Sequence, residues 1–408
     1  MKIGFLGLGK LGLPCALAIE SKGYSVYGTE IDPIVIQNIQ NRELEYNEEG
    51  ALSALRCSSI QVVPTKQLVN ESDIIFVAIQ TPHSPQFEGV TRLPYRRENF
   101  NYSALEKGIK DLNAEIQLLD KDKIVVIIST VLPGTIKERI LPIISPRFKL
   151  VYNPFFIAMG TTMKDFLDPE FVLLGVQDND ALIKIKQFYS TIHNAPIFQT
   201  DVASAELAKV AYNTYISMKI CFINTMMEIC HKTDANIDSI TEALSLGTRR
   251  LMSPAYLRGG MGDGGGCHPR DNIALSWLAR ELSLSFDFFE TLMVAREKQT
   301  EWLAELIVRN CNGMPIVILG RSFKPETNIS TGSPAILIHN LLIEKDMKPI
   351  VWDPFFDRQV PKFETSLFFV ATRHDYFMEM DFPPGSVVID PWRYMPRKSN
   401  IEVIYIGE

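Results

Sequence analysis

Cys267 closes a run, residues 259–266, that holds six glycines in eight positions, and it is followed by His268-Pro269-Arg270-Asp271. Glycine at that density lets a backbone take positive φ and pass close to a ligand, and its entropy cost argues against a regular element. The run reads as a tight binding loop. An apolar helical pattern, residues 273–282, starts just beyond it, so the cysteine lies near a helix N-terminus, whose partial positive charge favours thiolate over thiol. That is a way to prepare a nucleophile. The competing reading is a flexible turn with an incidental buried thiol, and it weakens only if partner residues exist elsewhere in the chain.

The longest helical pattern, residues 204–230, carries Glu206, Lys209 and Asn213 at spacings of three and four, on one face. Set among Ala, Tyr and Ile, a lysine and an asparagine need partners or a ligand; the alternative is a solvated polar stripe. A second constellation opens the chain. Residues 2–6 form a short apolar run of buried-strand type, followed by Gly7-Leu8-Gly9-Lys10-Leu11-Gly12 and a helical stretch at 14–21. In this G-x-G-x-x-G setting the glycines make the tight turn, admit a pyrophosphate against the backbone and let helix pack on strand. A second strand, 24–28, leads to Glu30, about 20 residues on, where an acid accepts from ribose hydroxyls and repels a 2′-phosphate. The expected cofactor is NAD and not NADP.

The elements that must position these groups alternate strand and helix. Strands at 73–79 and 123–128 end in Gln80-Thr81-Pro82 and in 129–135, where hydroxyls and backbone line the crevice of a doubly wound sheet. Between them, Arg92, Arg96, Arg97 and Tyr95 sit in a polar stretch that reads as a solvated loop or a phosphate contact. Strand, loop and strand follow over 150–176; beyond the glycine loop come a helix at 286–309 and a break at Asn312-Gly313. A second α/β unit then has strands at 315–320 and 348–352, a helix at 333–344 and a last buried strand at 387–389. The expected fold is α/β: two Rossmann-like doubly wound domains joined by a central helical region. Its expected boundaries are an NAD-binding domain over 1–200, a central helical region over 201–300 and a second α/β domain over 301–408.

The chain has 408 residues, 46% hydrophobic and 22% charged, with a formal net charge of −7, which argues against a general nucleic-acid binder. Its six cysteines, at 15, 57, 221, 230, 267 and 311, show no C-x-x-C spacing, so neither a zinc site nor a disulfide framework is indicated and a cytoplasmic setting is expected. No apolar run reaches about 18 residues, and the N-terminus lacks the pattern of a signal peptide, so no membrane span or export is expected.

Taken together, the motifs resemble the nucleotide-sugar 6-dehydrogenases, the family containing UDP-glucose and GDP-mannose dehydrogenases. The resemblance runs nearly end to end. It rests on Gly7 to Gly12, Thr81-Pro82, residues 129–135, Asn153-Pro154 with Gly160-Thr161, and Glu206-x-x-Lys209-x-x-x-Asn213. It continues through Cys267-x-Pro269-x-Asp271, Phe323-Lys324-Pro325, Ser333-Pro334-Ala335 and Asp353-Pro354. The resemblance implies oxidation of a sugar CH₂OH to a carboxylate with two NAD⁺, UDP-glucose being the default substrate, through a thiohemiacetal and then a thioester on Cys267. Carried over by position, Lys209 stabilises oxyanion charge, Asn213 positions the reacting oxygen or water, Asp271 orients water, and Thr130 lies beside substrate and nicotinamide. Gly7, Gly9, Leu11, Gly12, Glu30, Thr81 and Thr130 fall to the cofactor. Phe156, Ile157, Lys209, Asn213, Arg250, Tyr256, Gly262, Lys324 and Arg393 fall to the substrate, the cations toward its diphosphate. The family's dimers form through their central helices, which implies a homodimer here.

The chain departs from the family where Phe155 and Met159 replace two acids, the first being the glutamate assigned to thioester hydrolysis. Asn328, Ile329 and Thr331 replace acids and an arginine, Thr225 a glutamate, Asp263 an aromatic residue, and His268 an apolar one. A missing general base costs a factor of about 10²–10⁴ in its step unless Asp271, His268 or a lysine-bound water compensates. The alternatives are therefore a two-electron enzyme stopping at the aldehyde or acting on another nucleotide sugar, and a non-catalytic nucleotide-sugar-binding protein. A β-hydroxyacid dehydrogenase leaves the cysteine loop and the third region unexplained.

Overall fold

A computed structural model describes residues 1–82, 98–233, 235–253, 259–264 and 268–407, with the backbone alone for His231, His268, Arg270, Asp271 and Ala274. The backbone divides into two compact units, Met1–Ser217 and Met218–Glu408.

The first unit is built on eight strands: β1 (Lys2–Leu6), β2 (Ser25–Thr29), β3 (Gln61–Val62), β4 (Ile74–Val77), β5 (Lys123–Ile127), β6 (Phe148–Tyr152), β7 (Val172–Val176) and β8 (Ile197–Thr200). Their order is β3-β2-β1-β4-β5-β6-β7-β8. The first six give the doubly wound arrangement whose ligand crevice lies where the order reverses, between β1 and β4. The register pairs Leu6 with both Thr29 and Val77, which brings the turns after β1, β2 and β4 to one edge of the sheet. The last two strands break the pattern: β7 runs antiparallel to β6, with β8 parallel to β7, because the connection from β6 to β7 holds only the six-residue helix Thr162–Leu167 and turns back instead of crossing over.

Successive residues of each buried strand enter opposite cores, as the period of two requires. Ile3, Phe5, Ile74, Phe76, Ile124 and Val126 pack on one face, and Ile75, Val77, Val125 and Ile127 on the other. Each such side chain contributes about 1.5–3 kcal/mol by leaving water.

The second unit holds β9 (Ile316–Leu319), β10 (Ile350–Trp352), β11 (Leu367–Val370), β12 (Val387–Asp390) and β13 (Glu402–Tyr405), all parallel, in the order β10-β9-β11-β12-β13. This is the second common doubly wound order. The expected last strand at 387–389 is followed by another, β13, a half-exposed edge strand without the buried run that marks its neighbours. Helices Val202–Lys232, Ile237–Ser245, His268–Glu281 and Phe288–Asn310 precede β9, the first beginning in the first unit and ending in the second. Among the described residues no helix is long and apolar enough to cross a membrane, and no three His, Cys, Asp or Glu gather as a metal site.

Candidate active site

Gly7 ends β1 with φ +99°, a conformation that side chains rarely adopt, and a Cβ there would lie 2.8 Å from the Ala78 carbonyl oxygen. A Cβ on Gly12 would lie 2.1 Å from the Gly7 carbonyl oxygen, so both positions admit hydrogen alone. Gly9 differs. Nothing lies within 4 Å of a Cβ built on it, leaving an open backbone face before the N-terminus of the helix Gly12–Glu20. Glu30 closes the turn from the side: one carboxylate oxygen accepts the Leu8 N–H at 2.8 Å, and the other accepts those of Ile31 and Asp32 at 2.7 and 3.0 Å.

This turn forms one wall of a cleft of about 410 Å³, which gathers Gly9, Leu11, Thr81, Thr130, Ile157 and Lys209, six of the residues singled out from sequence. Hydroxyls fix its floor. Thr81 Oγ1 donates to the Thr130 carbonyl at 2.7 Å and Ser129 Oγ to that of Ile79 at 2.6 Å, tying the turns after β4 and β5 together. Glu206, almost fully buried, accepts the N–H groups of Gly134 and Ile136 at 2.7 and 2.8 Å and so anchors the loop that carries Thr130. Burial raises its pKa, an effect that these two N–H groups only partly offset.

Lys209 stands one turn further along the same helix. It is 8% exposed; its Nζ donates to the Phe155 carbonyl at 2.7 Å and lies 5.0 Å from the centroid of the Phe156 ring. Among the described residues no carboxylate pairs with it, and burial lowers its pKa. Asn213, the next polar position on that face, is exposed and is not among the residues that line the cleft. Phe156 packs between Phe171 and Tyr212, at 4.7 and 4.6 Å between ring centroids.

The ring of Phe155 turns into the core, 5.5 Å from Phe166 and 6.4 Å from Phe76, while its carbonyl faces the lysine. At position 155, then, the backbone supplies the only polar group. The sequence reading passed over Glu48. This buried carboxylate, 112 positions before Gly160, accepts the Gly160 N–H at 2.9 Å, the Thr162 N–H at 2.5 Å and the Thr162 hydroxyl at 3.1 Å, and so holds the far end of the Phe155 loop. The signal available was an acid just before Gly50 at a helix start, with nothing local to name its partner.

In the second unit, Cys267 and Tyr256 lie outside the described residues, as do the Asp271 side chain and Arg92, Arg96, Arg97 and Tyr95 of the first unit. The helix His268–Glu281 begins at the residue after Cys267. Arg250 is exposed in a turn, and Lys324 is exposed with its Nζ 5.6 Å from the Phe323 ring centroid. Gly262 passes Arg296 so closely that a Cβ would lie 3.2 Å from its Cγ. Arg393, expected to face a diphosphate, instead donates to the carbonyls of Pro391, Ile406 and Gly259 at 2.6, 2.7 and 2.9 Å, fastening the start of the glycine loop beside Trp392.

The sequence profile of the UDP-glucose/GDP-mannose dehydrogenase family matches the chain twice, its NAD binding domain over residues 1–193 and its central domain over 203–297. The chain belongs to this family. UDP-glucose 6-dehydrogenase of Rickettsia conorii is 27% identical over 367 residues, 87% of this chain and 81% of that protein. YtcA of Bacillus subtilis, whose name carries a provisional UDP-glucose 6-dehydrogenase assignment, is 30% identical over 366 residues, 87% of this chain and 82% of its own length. In fold the chain is similar to a GDP-mannose dehydrogenase of Pseudomonas aeruginosa, with a TM-score of 0.88 over 99% of both chains at 22% identity.

Membership makes the protein one of a family of NAD-dependent nucleotide-sugar dehydrogenases, and the first unit fits that cofactor. The open backbone face at Gly9, before a helix N-terminus, would admit a pyrophosphate, and Glu30, past the end of β2, would be the acid to meet ribose hydroxyls. When bound, NAD⁺ would supply hydride acceptance there.

Proposed function

We propose that the chain oxidises the C6 hydroxymethyl of a nucleotide sugar, UDP-glucose first among candidates, to the uronate. The observation that supports this most is Lys209: a buried ammonium with one carbonyl for a partner among the described residues, in the same cleft as Thr130 and the glycine turn. A cation so placed stabilises alkoxide charge as hydride leaves the sugar carbon. In this reading Cys267 captures the aldehyde as a thiohemiacetal, a second hydride transfer gives the thioester, and water with Asp271 releases the acid. Two NAD⁺ are reduced for each sugar. Residues 1–200 carry the cofactor, 201–300 pair two copies as a homodimer, and 301–408 take the nucleotide sugar.

A second reading, oxidation that stops short of the acid, draws on Phe155, whose inward ring leaves its position without a base. One experiment separates the two. Purified protein is given NAD⁺ and a panel of UDP- and GDP-hexoses, NADH is counted per sugar, and the quenched protein is weighed intact. Two NADH per sugar with turnover supports the complete reaction. A burst of two per site with an adduct lost in Cys267→Ser marks stalled hydrolysis, and one per sugar with free aldehyde supports the second reading. Binding of sugars without any NADH would sink both.

A further inference from the structure

The helix Phe288–Asn310 turns two side chains, one turn apart, onto the glycine loop. Arg296 Nε lies 2.8 Å from the Asp263 carboxylate and 3.0 Å from the Asp263 carbonyl oxygen, while its Nη2 donates to the Gly332 carbonyl at 3.2 Å. Gln299 Nε2 donates to the Gly260 carbonyl at 3.3 Å. The loops these groups join are themselves in contact: a Cβ on Gly264 would lie 3.0 Å from the Gly332 oxygen and 3.1 Å from Phe323 Cβ. Arg296 keeps only 13% of its side-chain exposure, so the ion pair is screened less than a surface pair.

Asp263 lies in the glycine loop and Gly332 in the stretch that follows Lys324, and Arg296 binds both. A cation thus reaches that second loop from another element, and the aspartate is its counter-charge. We infer that Arg296 is a positioning residue: one planar guanidinium locks the loop 259–264, which leads into Cys267, to the loop 323–334, which carries Lys324, so that the two are held as one piece. The inference rests on the proposed roles of those two residues. The fork geometry matters, because a guanidinium donates in two directions at once and an ammonium on a flexible stem holds neither as firmly.

The test compares the full-length wild type with Arg296→Met, Arg296→Lys, Asp263→Asn and the Arg296→Met/Asp263→Asn double variant. Amide hydrogen exchange in both loops is expected to rise together by about tenfold or more in Arg296→Met. The kcat should fall about 10- to 100-fold with KM for the sugar nearly unchanged, as misplacement of reacting groups produces. Arg296→Lys should recover part of both, and the double variant should lose less than the sum of the two single variants, because the two residues interact directly. Exchange that stays at the wild-type level, or rises in one loop alone, would overturn the inference. So would a uniform rise in exchange with a matching drop in Tm, which would make Arg296 a stability residue only. Exchange needs no sugar, so a chain that reduced no NAD⁺ with any nucleotide sugar would end the dehydrogenase reading and still leave the lock between the loops tested.

Discussion

After β1 the chain turns at Gly7 with φ +99°, and after β9 at Gly320 with φ +98°. Gly7 N–H donates to Thr29 at the end of β2 at 2.9 Å, and Gly320 N–H to Trp352 at the end of β10 at 2.8 Å. The residue that follows is an acid in both units, and each acid takes the N–H just past its glycine: Glu30 from Leu8 at 2.8 Å, Asp353 from Arg321 at 2.6 Å. Beyond this point the two diverge. Glu30 keeps part of its surface in water beside a cleft. Asp353 is fully buried and also accepts from Ser322 N–H, Ser322 Oγ and Phe355 N–H, with His374 Nε2 at 3.3 Å. His374, fully buried against Phe355, accepts the Glu326 N–H on Nδ1, which leaves Nε2 as the donor to Asp353.

The same strand-turn-acid device thus makes a cleft in one unit and a filled crevice in the other. Charge follows the same division: the cleft keeps a buried lysine with a single hydrogen bond, while the crevice surrounds its carboxylate with donors. A charge left with few partners is available to a ligand, and a saturated one holds the fold.

The largest expected effect tests the open side. Lys209→Met should lower NADH production about 10²–10³-fold with Tm held or raised, because removing an unpaired buried charge also removes its desolvation cost. A fall in Tm would place Lys209 with the structural groups and break the comparison. On the filled side, Asp353→Asn should cost about 2–3 kcal/mol in chemical denaturation and leave NAD⁺ affinity unchanged. Burial works to raise the Asp353 carboxyl, but the hydrogen bonds from His374 and the backbone outweigh it and hold the group well below the usual range. Its contribution is therefore complete above the unfolded value, about pH 4, and is lost as pH falls toward the folded one; the acid limb of the stability profile should flatten in the variant.

Next in size, Gly320→Ala places a Cβ 2.4 Å from Thr372 Cβ in a left-handed backbone, and should cost about 1–3 kcal/mol of stability with NAD⁺ binding intact. Gly7→Ala should strike NAD⁺ binding as well, read by calorimetry; equal NAD⁺ affinities in the two variants would contradict the division. The smallest effect belongs to Glu30→Gln, which should weaken NAD⁺ about tenfold and move Tm less than Asp353→Asn. A larger loss of stability than of affinity would make Glu30 a second Asp353.

Much of this was legible in the sequence because it is local. The glycine turn, its strand and helix, and the acid after β2 lie within residues 2–30, and the helix bearing Glu206 and Lys209 declared itself by periodicity. The apolar run Leu367 to Val370 and the β-branched and aromatic run of β13 both had the composition of strands and were passed over. Glu48 could not be read, since its partners stand more than a hundred positions away. Arg393 was legible as a cation, but its engagement by three carbonyls was not.

What the sequence determined by itself was the set of local devices: where a backbone must turn at glycine, which runs alternate into two cores, and where charge is offered at a strand end. These depend on steric and solvation preferences of neighbouring residues. Which charges remain open was decided by the tertiary structure alone. Glu30 and Asp353 are the same kind of residue in the same local setting, and only atoms from other segments, Ser322 and His374 among them, bury and saturate one and leave the other partly exposed.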